Sequence, residues 1–175
     1  MKKKLFTILT VMLVTMLTSS TAFAAGGLKF RNIDFNLGSL IATGLVTGLG
    51  NTDVTIVLEG SGPADILCVN NGTNIVPGQS SPKVTATGEQ LLDGDNDYDK
   101  NGRASFNTVA STDEPLPWDE AGCPNSNWVG KIDFVYWDAV TISVYSTSTG
   151  DLLAQQKYKC VTTRYPSPTI TCDPV

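Results

Sequence analysis

The chain has 175 residues, of which 12 are basic and 17 acidic, with four cysteines and no histidine. A formal net charge of −5 repels nucleic acid and anionic lipid. The missing histidine removes the commonest general base and the commonest transition-metal ligand.

The amino terminus carries the pattern of a secretory leader. Lys2, Lys3 and Lys4 form a positive start, an apolar run interrupted only by threonines covers 5–17, and Ala22-Phe23-Ala24 offers a small-x-small cleavage site. Cleavage is expected after Ala24. The competing reading, a permanent anchor, needs roughly 20 apolar residues and a stop-transfer flank, and no cysteine follows the cut to carry a lipid. What remains, 25–175, fits one domain with its own core. Loss of the three leader lysines leaves 9 basic residues against 17 acidic ones, a net charge of −8.

Beyond the leader, short runs rich in Val, Ile, Thr, Phe and Tyr alternate with Gly, Pro, Asn and Asp clusters, and no segment reads as a helix. Strands are predicted over 28–37, 53–58, 65–69, 83–91, 103–110, 128–136, 139–145 and 152–163. In the first, Leu28 and Phe30 form one apolar set and Ile33, Phe35 and Leu37 another, the phase changing at Arg31-Asn32 as a β-bulge would produce. Such a strand at a chain end completes its own sheet or leaves to complete a neighbour's. The glycines that follow, Gly38, Gly44, Gly48 and Gly50, break any helix. They predict a bent or bulged strand, or the hinge that a departing strand needs.

The segment 93–102 is the densest set of oxygen ligands in the chain. Asp97, Asp99 and Asn101 followed by Gly102 fit the D-x-D-x-N-G opening of a calcium loop. The twelfth position is Thr108 rather than the glutamate of an EF-hand, so any site is a loop between strands. Asp, Asn and Gly also favour turns for backbone reasons alone, and a solvated acidic hairpin loop stands equally beside the calcium site. Of the three tryptophans, Trp128 and Trp137 are expected in the core. Trp118, between Pro117 and Asp119, is the candidate for exposed contact with a sugar ring.

Over 139–145, Val140, Ile142 and Val144 face one way while Thr141, Ser143 and Tyr145 face the other, the pattern of a half-buried strand. Eight short strands with frequent turns predict an all-β fold, an antiparallel two-sheet sandwich of immunoglobulin-like or jelly-roll type, with a closed barrel as second choice. Cys68, Cys123, Cys160 and Cys172 all follow the leader, and their even count predicts disulfides; zinc is disfavoured because no pair has CxxC spacing. Of three possible pairings, Cys68 with Cys123 and Cys160 with Cys172 is favoured. The second closes a short loop through Tyr165-Pro166-Ser167-Pro168, worth ~3 kcal/mol in the chain-entropy model.

Enzymatic patterns are weak. Ser80-Ser81-Pro82-Lys83 matches S-x-x-K, but Pro82 obstructs the helix that would bring the lysine behind the serine. Glu59, Glu89, Glu114 and Glu120 are scattered, and nothing in the sequence pairs two carboxylates across a cleft. Asn71-Gly72-Thr73 is a glycosylation sequon.

Three motifs are familiar: Gly48-Leu49-Gly50-Asn51-Thr52-Asp53-Val54-Thr55; Cys68-Val69-Asn70-Asn71-Gly72-Thr73-Asn74 with Pro77-Gly78-Gln79; and Ala121-Gly122-Cys123-Pro124-Asn125 followed by Trp128. Over 39–145 the chain resembles a group of small secreted bacterial proteins without an assigned activity. The resemblance implies a secreted β-sandwich and a link between the Cys68 and Cys123 motifs. It implies no catalytic residue, and the acidic segment and the Cys160 to Cys172 tail lie outside it.

The expected function is therefore an extracellular structural or adhesive subunit, secreted or at the cell surface. It would self-assemble into filaments through Leu28, Phe30, Ile33, Phe35 and Leu37. The alternative is a carbohydrate-binding module using Trp118 and calcium, with a hydrolase a distant third. Expected partners are further copies of the chain or surface glycans, with no nucleic acid and no membrane once the leader is removed.

Overall fold

A computed structural model describes residues 27–37 and 39–175. The expected leader and the hinge residue Gly38 lie outside the described residues. Ten strands follow one another with no helix among the described residues: β1 (Lys29–Asn36), β2 (Leu40–Thr47), β3 (Val54–Asn70), β4 (Ile75–Pro77), β5 (Lys83–Leu92), β6 (Arg103–Thr112), β7 (Trp128–Val135), β8 (Ala139–Ser146), β9 (Leu152–Thr163) and β10 (Thr169–Pro174). Every pairing between strands is antiparallel.

The axis of the fold is β3. Its 17 residues bury every second side chain from Val54 to Cys68 without a break, where two separate strands were predicted across Glu59 to Ala64. Gly60 and Gly62 resemble turn residues by type but occupy inward positions. A Cβ on Gly60 would collide with Leu40, and one on Gly62 with the backbone oxygen of Tyr136. Absence of a side chain here lets neighbouring chain approach closely, one of the established uses of glycine in a strand.

One flank of β3 is covered by β8 along Val54–Ser61 and by β7 along Ala64–Asn70. The intervening residues stay bonded to it, Tyr136 N–H donating to Pro63 O at 2.8 Å and Asp138 N–H to Ser61 O at 3.0 Å. The other flank is covered by β5 and then β4.

Hydrogen bonding runs as one sheet in the order β1-β2-β6-β5-β3-β8-β9-β10, where two separate sheets were expected. The antiparallel all-β reading holds, but the sheet curls until it is nearly a barrel. The sharp corner lies between β5 and β6, which are joined only at Ala86–Thr112 and Thr87–Ser111. Past that point β6 crosses directly over Gly88, where a Cβ would collide with Val109 O. The side-chain oxygen of Gln90 then accepts from Asn107 N–H at 2.8 Å in place of a strand partner.

Inside the curl, Leu40, Ala42 and Val46 of β2, Val54, Ile56 and Leu58 of β3, Phe106 of β6, and Val140, Ile142 and Val144 of β8 form the main core. Trp137 lies in this core, 3% exposed, as expected of it. A second, smaller cluster lies under the far half of β3, where Ala64, Ile66 and Val84 meet Ala121 around Cys68 and Cys123. Trp128 is partly buried against it.

At the open seam β1 approaches β10, and the rings of Phe35 and Tyr158 meet edge to face at 5.0 Å. β1 carries the expected bulge: its register with β2 shifts between Arg31 and Asp34, and Asn32 has φ 52°. The expected hinge role of Gly44 is corrected. It lies mid-strand in β2 opposite Phe106, and a Cβ there would collide with Ile33, so this glycine makes room for packing rather than movement.

Candidate functional site

A cleft of about 540 Å³ lies at one end of the curl. Its walls come from distant parts of the sequence: Leu37 and Ser39 before β2, Ser111 and Thr112 at the end of β6, Asp133 and Phe134 of β7, and Pro168 of the β9–β10 connection, with Trp137 and Leu40 from the core. Glu114 joins the wall because its Oε1 accepts from Ile132 N–H at 3.0 Å.

Beside the cleft, Arg164 forks between two carboxylates. Its Nη1 is 2.8 Å from Asp65 Oδ2 and its Nη2 2.6 Å from Asp133 Oδ2. The guanidinium also lies 5.4 Å from the centroid of the Phe134 ring and 5.7 Å from that of Tyr165, within cation–π range. Asp133, and after it Asp65, hold the guanidinium proton more tightly than usual. The Tyr136 hydroxyl donates to Asp65 Oδ2 at 3.0 Å, which raises the pKa of that phenol. The result is a network that fixes Asp133 and Phe134 in the cleft wall and ties the β9–β10 connection to β3 and β7.

This cluster was not legible in the sequence. Arg164 is 99 residues from Asp65 and 31 from Asp133, and no local spacing signals such contacts. Glu114 appeared only as one of several scattered carboxylates.

The acidic segment forms a hairpin tip whose carboxylates serve its own backbone. Asp93 accepts from Asp95 N–H and from the Asn96 side chain, Asp97 from Asp93 N–H, and Asp53 from Gly94 N–H. Asp99 accepts from the backbone N–H groups of Asn101 and Arg103 and pairs with the Arg103 guanidinium at 2.6 Å. Among the described residues no group of three or more acidic or cysteine side chains is arranged to hold a metal ion. Tyr98 turns inward, donating its hydroxyl to Thr52 O at 2.6 Å. Burial, followed by the charges of Asp53, Asp97 and Asp93, pushes its pKa up to about 12.

The bond from Arg103 lowers the Asp99 carboxyl from 3.8 to about 2. A depressed acid stabilises the folded state above its unfolded pKa, and the contribution is lost as pH falls through the folded value. The Tm difference between wild type and Asp99→Asn is therefore expected to be constant above about pH 4 and to shrink between about pH 4 and pH 2. A difference that does not change over that window would remove Arg103 as the cause.

Both expected disulfides are present, Cys68–Cys123 and Cys160–Cys172. The second joins residues directly opposite each other on β9 and β10. Trp118 is 41% exposed, as its polar loop suggested, and its carbonyl accepts from Cys123 N–H at 2.7 Å. Of the expected assembly residues, Phe35 is buried in the main core, and Leu28, Phe30, Ile33 and Leu37 pack against it partly buried. Among the described residues no helix is long and apolar enough to cross a membrane. Comparison with known protein families, curated proteins and solved structures finds no match to this chain.

Proposed function

We propose that the chain is exported and works outside the cell as a structural or adhesive subunit. It would assemble by exchanging β1 between copies of itself. The observation that carries this reading is the asymmetry of β1. Among the described residues the strand pairs with β2 alone, yet all five apolar residues expected in and beside it pack on the main core. A strand held that way leaves an apolar slot when it departs, and the same segment of a second copy refills it with the same side chains, the logic of β-strand addition. The outer end of β1 is the easier part to release: Leu28 and Phe30 border an open groove of about 520 Å³ shared with Ala154, Tyr158 and Pro174. Repeated head to tail without closure, such exchange makes a filament. The two disulfides would hold the acceptor body together while the slot is open.

Deleting residues 26–37 from the exported chain tests the proposal. The full chain is expected to form concentration-dependent oligomers by light scattering and polymers by electron microscopy. The truncated chain is expected to lose them and to bind an added peptide of sequence 27–37. A full chain that stays monomeric at every concentration, with a truncated form that is unfolded and ignores the peptide, would make β1 an ordinary first strand.

A further inference from the structure

We propose that the cleft at the end of the curl binds a saccharide unit without acidic groups, independently of Trp118. Its volume of about 540 Å³ falls within the range of small-ligand pockets, which combine apolar walls with a few fixed polar groups. A sugar ring presents apolar C–H patches and a rim of hydroxyls. The cleft offers Phe134 and Pro168 to the former, and Glu114, Asp133 and Ser111 to the latter.

The two carboxylates are already oriented. Glu114 is held by Ile132 N–H at 3.0 Å and Asp133 by Arg164 at 2.6 Å, so accepting a bond from a sugar hydroxyl requires little further side-chain ordering. Charge selects among ligands. The carboxylates repel uronates and other anions, and Arg164 has both arms of its fork on Asp65 and Asp133, leaving it poorly placed to receive one. The one guanidinium is shared by two carboxylates and Glu114 accepts only from a backbone N–H, so the cleft stays negative and the selection it makes is against anionic sugars. A neutral polyol meets no such repulsion.

The test uses the full exported protein, labelled for NMR and titrated with neutral trisaccharides of glucose, xylose and mannose, beside a galacturonate trimer. At least one neutral trisaccharide is expected to shift resonances of Ser111, Asp133 and Phe134, with little response to the galacturonate trimer. Ser111→Trp, which fills the cleft from its rim, and Glu114→Gln, which keeps an oxygen for Ile132 N–H, are each expected to weaken binding at least tenfold with Tm unchanged. Trp118→Ala should bind as wild type. The proposal is overturned if no neutral trisaccharide binds, if the galacturonate trimer binds equally well, or if Ser111→Trp binds undiminished. Binding lost in Trp118→Ala but retained in both cleft variants would also overturn it, by placing the sugar on the loop.

Discussion

Replacing Cys68 and Cys123 together with alanine is expected to lower the unfolding free energy by about 4 kcal/mol, the chain-entropy value for a bridge of this span. The bridge spans 55 residues and joins β3 to the loop before β7. Its surroundings give little reserve, because among the described residues the second cluster has six buried members, two of them the cysteines themselves. Contacts there depend on close approach of chain to chain: Gly78 faces Ala121 O and Gly130 faces the Ala121 side chain. Without the bridge, Ala121 has no covalent tie to β3.

Alanine at both Cys160 and Cys172 should cost less, about 3 kcal/mol, because that loop spans 12 residues. Its two strands also remain hydrogen-bonded from Thr169–Thr163 to Pro174–Tyr158. Urea unfolding of the two double variants, with hydrogen exchange at Ala121 and Cys123, measures the difference. Equal losses, or a greater loss from the β9–β10 pair, would contradict the view that the first bridge holds the smaller cluster.

Gly88→Ala is expected to destabilise the fold by about 3 kcal/mol, the upper part of the range for overpacking. The added methyl has no flexible neighbour to displace. It meets Val109 O, Val109 C and Ala110 Cα, all backbone, at the corner where β6 crosses β5. Relief requires β6 to move away, which would disturb the bond from Asn107 N–H to Gln90 and the burial of Phe106 and Thr108 behind it. Thr87→Ala, on an exposed position of the same strand, serves as the control and should change stability by less than about 0.5 kcal/mol. If the two substitutions give the same urea midpoint, the corner tolerates a side chain and the close approach is not what shapes the curl.

Much of this architecture was written in local alternation. Over Arg103–Thr112 the buried residues are Ala104, Phe106, Thr108 and Ala110, each followed by an exposed one. In β8 Val140, Ile142 and Val144 are buried as the same period predicts, but Ser143, expected on the solvent face, is buried too, its hydroxyl accepting from the Gln155 side chain at 3.0 Å. The bulge in β1 followed from a phase change between its two apolar sets. The Cys160–Cys172 bridge followed from a short loop, for which few other closures compete. In each case the information lies within about a dozen residues, the range over which a repeating pleat can be recognised.

The continuity of β3 was present in the same alternation, since Val54, Ile56, Leu58, Gly60, Gly62, Ala64, Ile66 and Cys68 share one face. It went unread because Gly60, Gly62 and Pro63 are turn residues by type. Only their neighbours explain them: Leu40 and the Tyr136 backbone occupy the space a side chain would take. The curl of one sheet in place of two, the gathering of Glu114, Asp133 and Phe134 around one cleft, and the fork of Arg164 were decided by the tertiary structure. A strand's sequence states which of its faces is apolar, whereas the strand that comes to lie beside it is chosen by packing between residues as far apart as Asp65 and Arg164, and no local period records that choice.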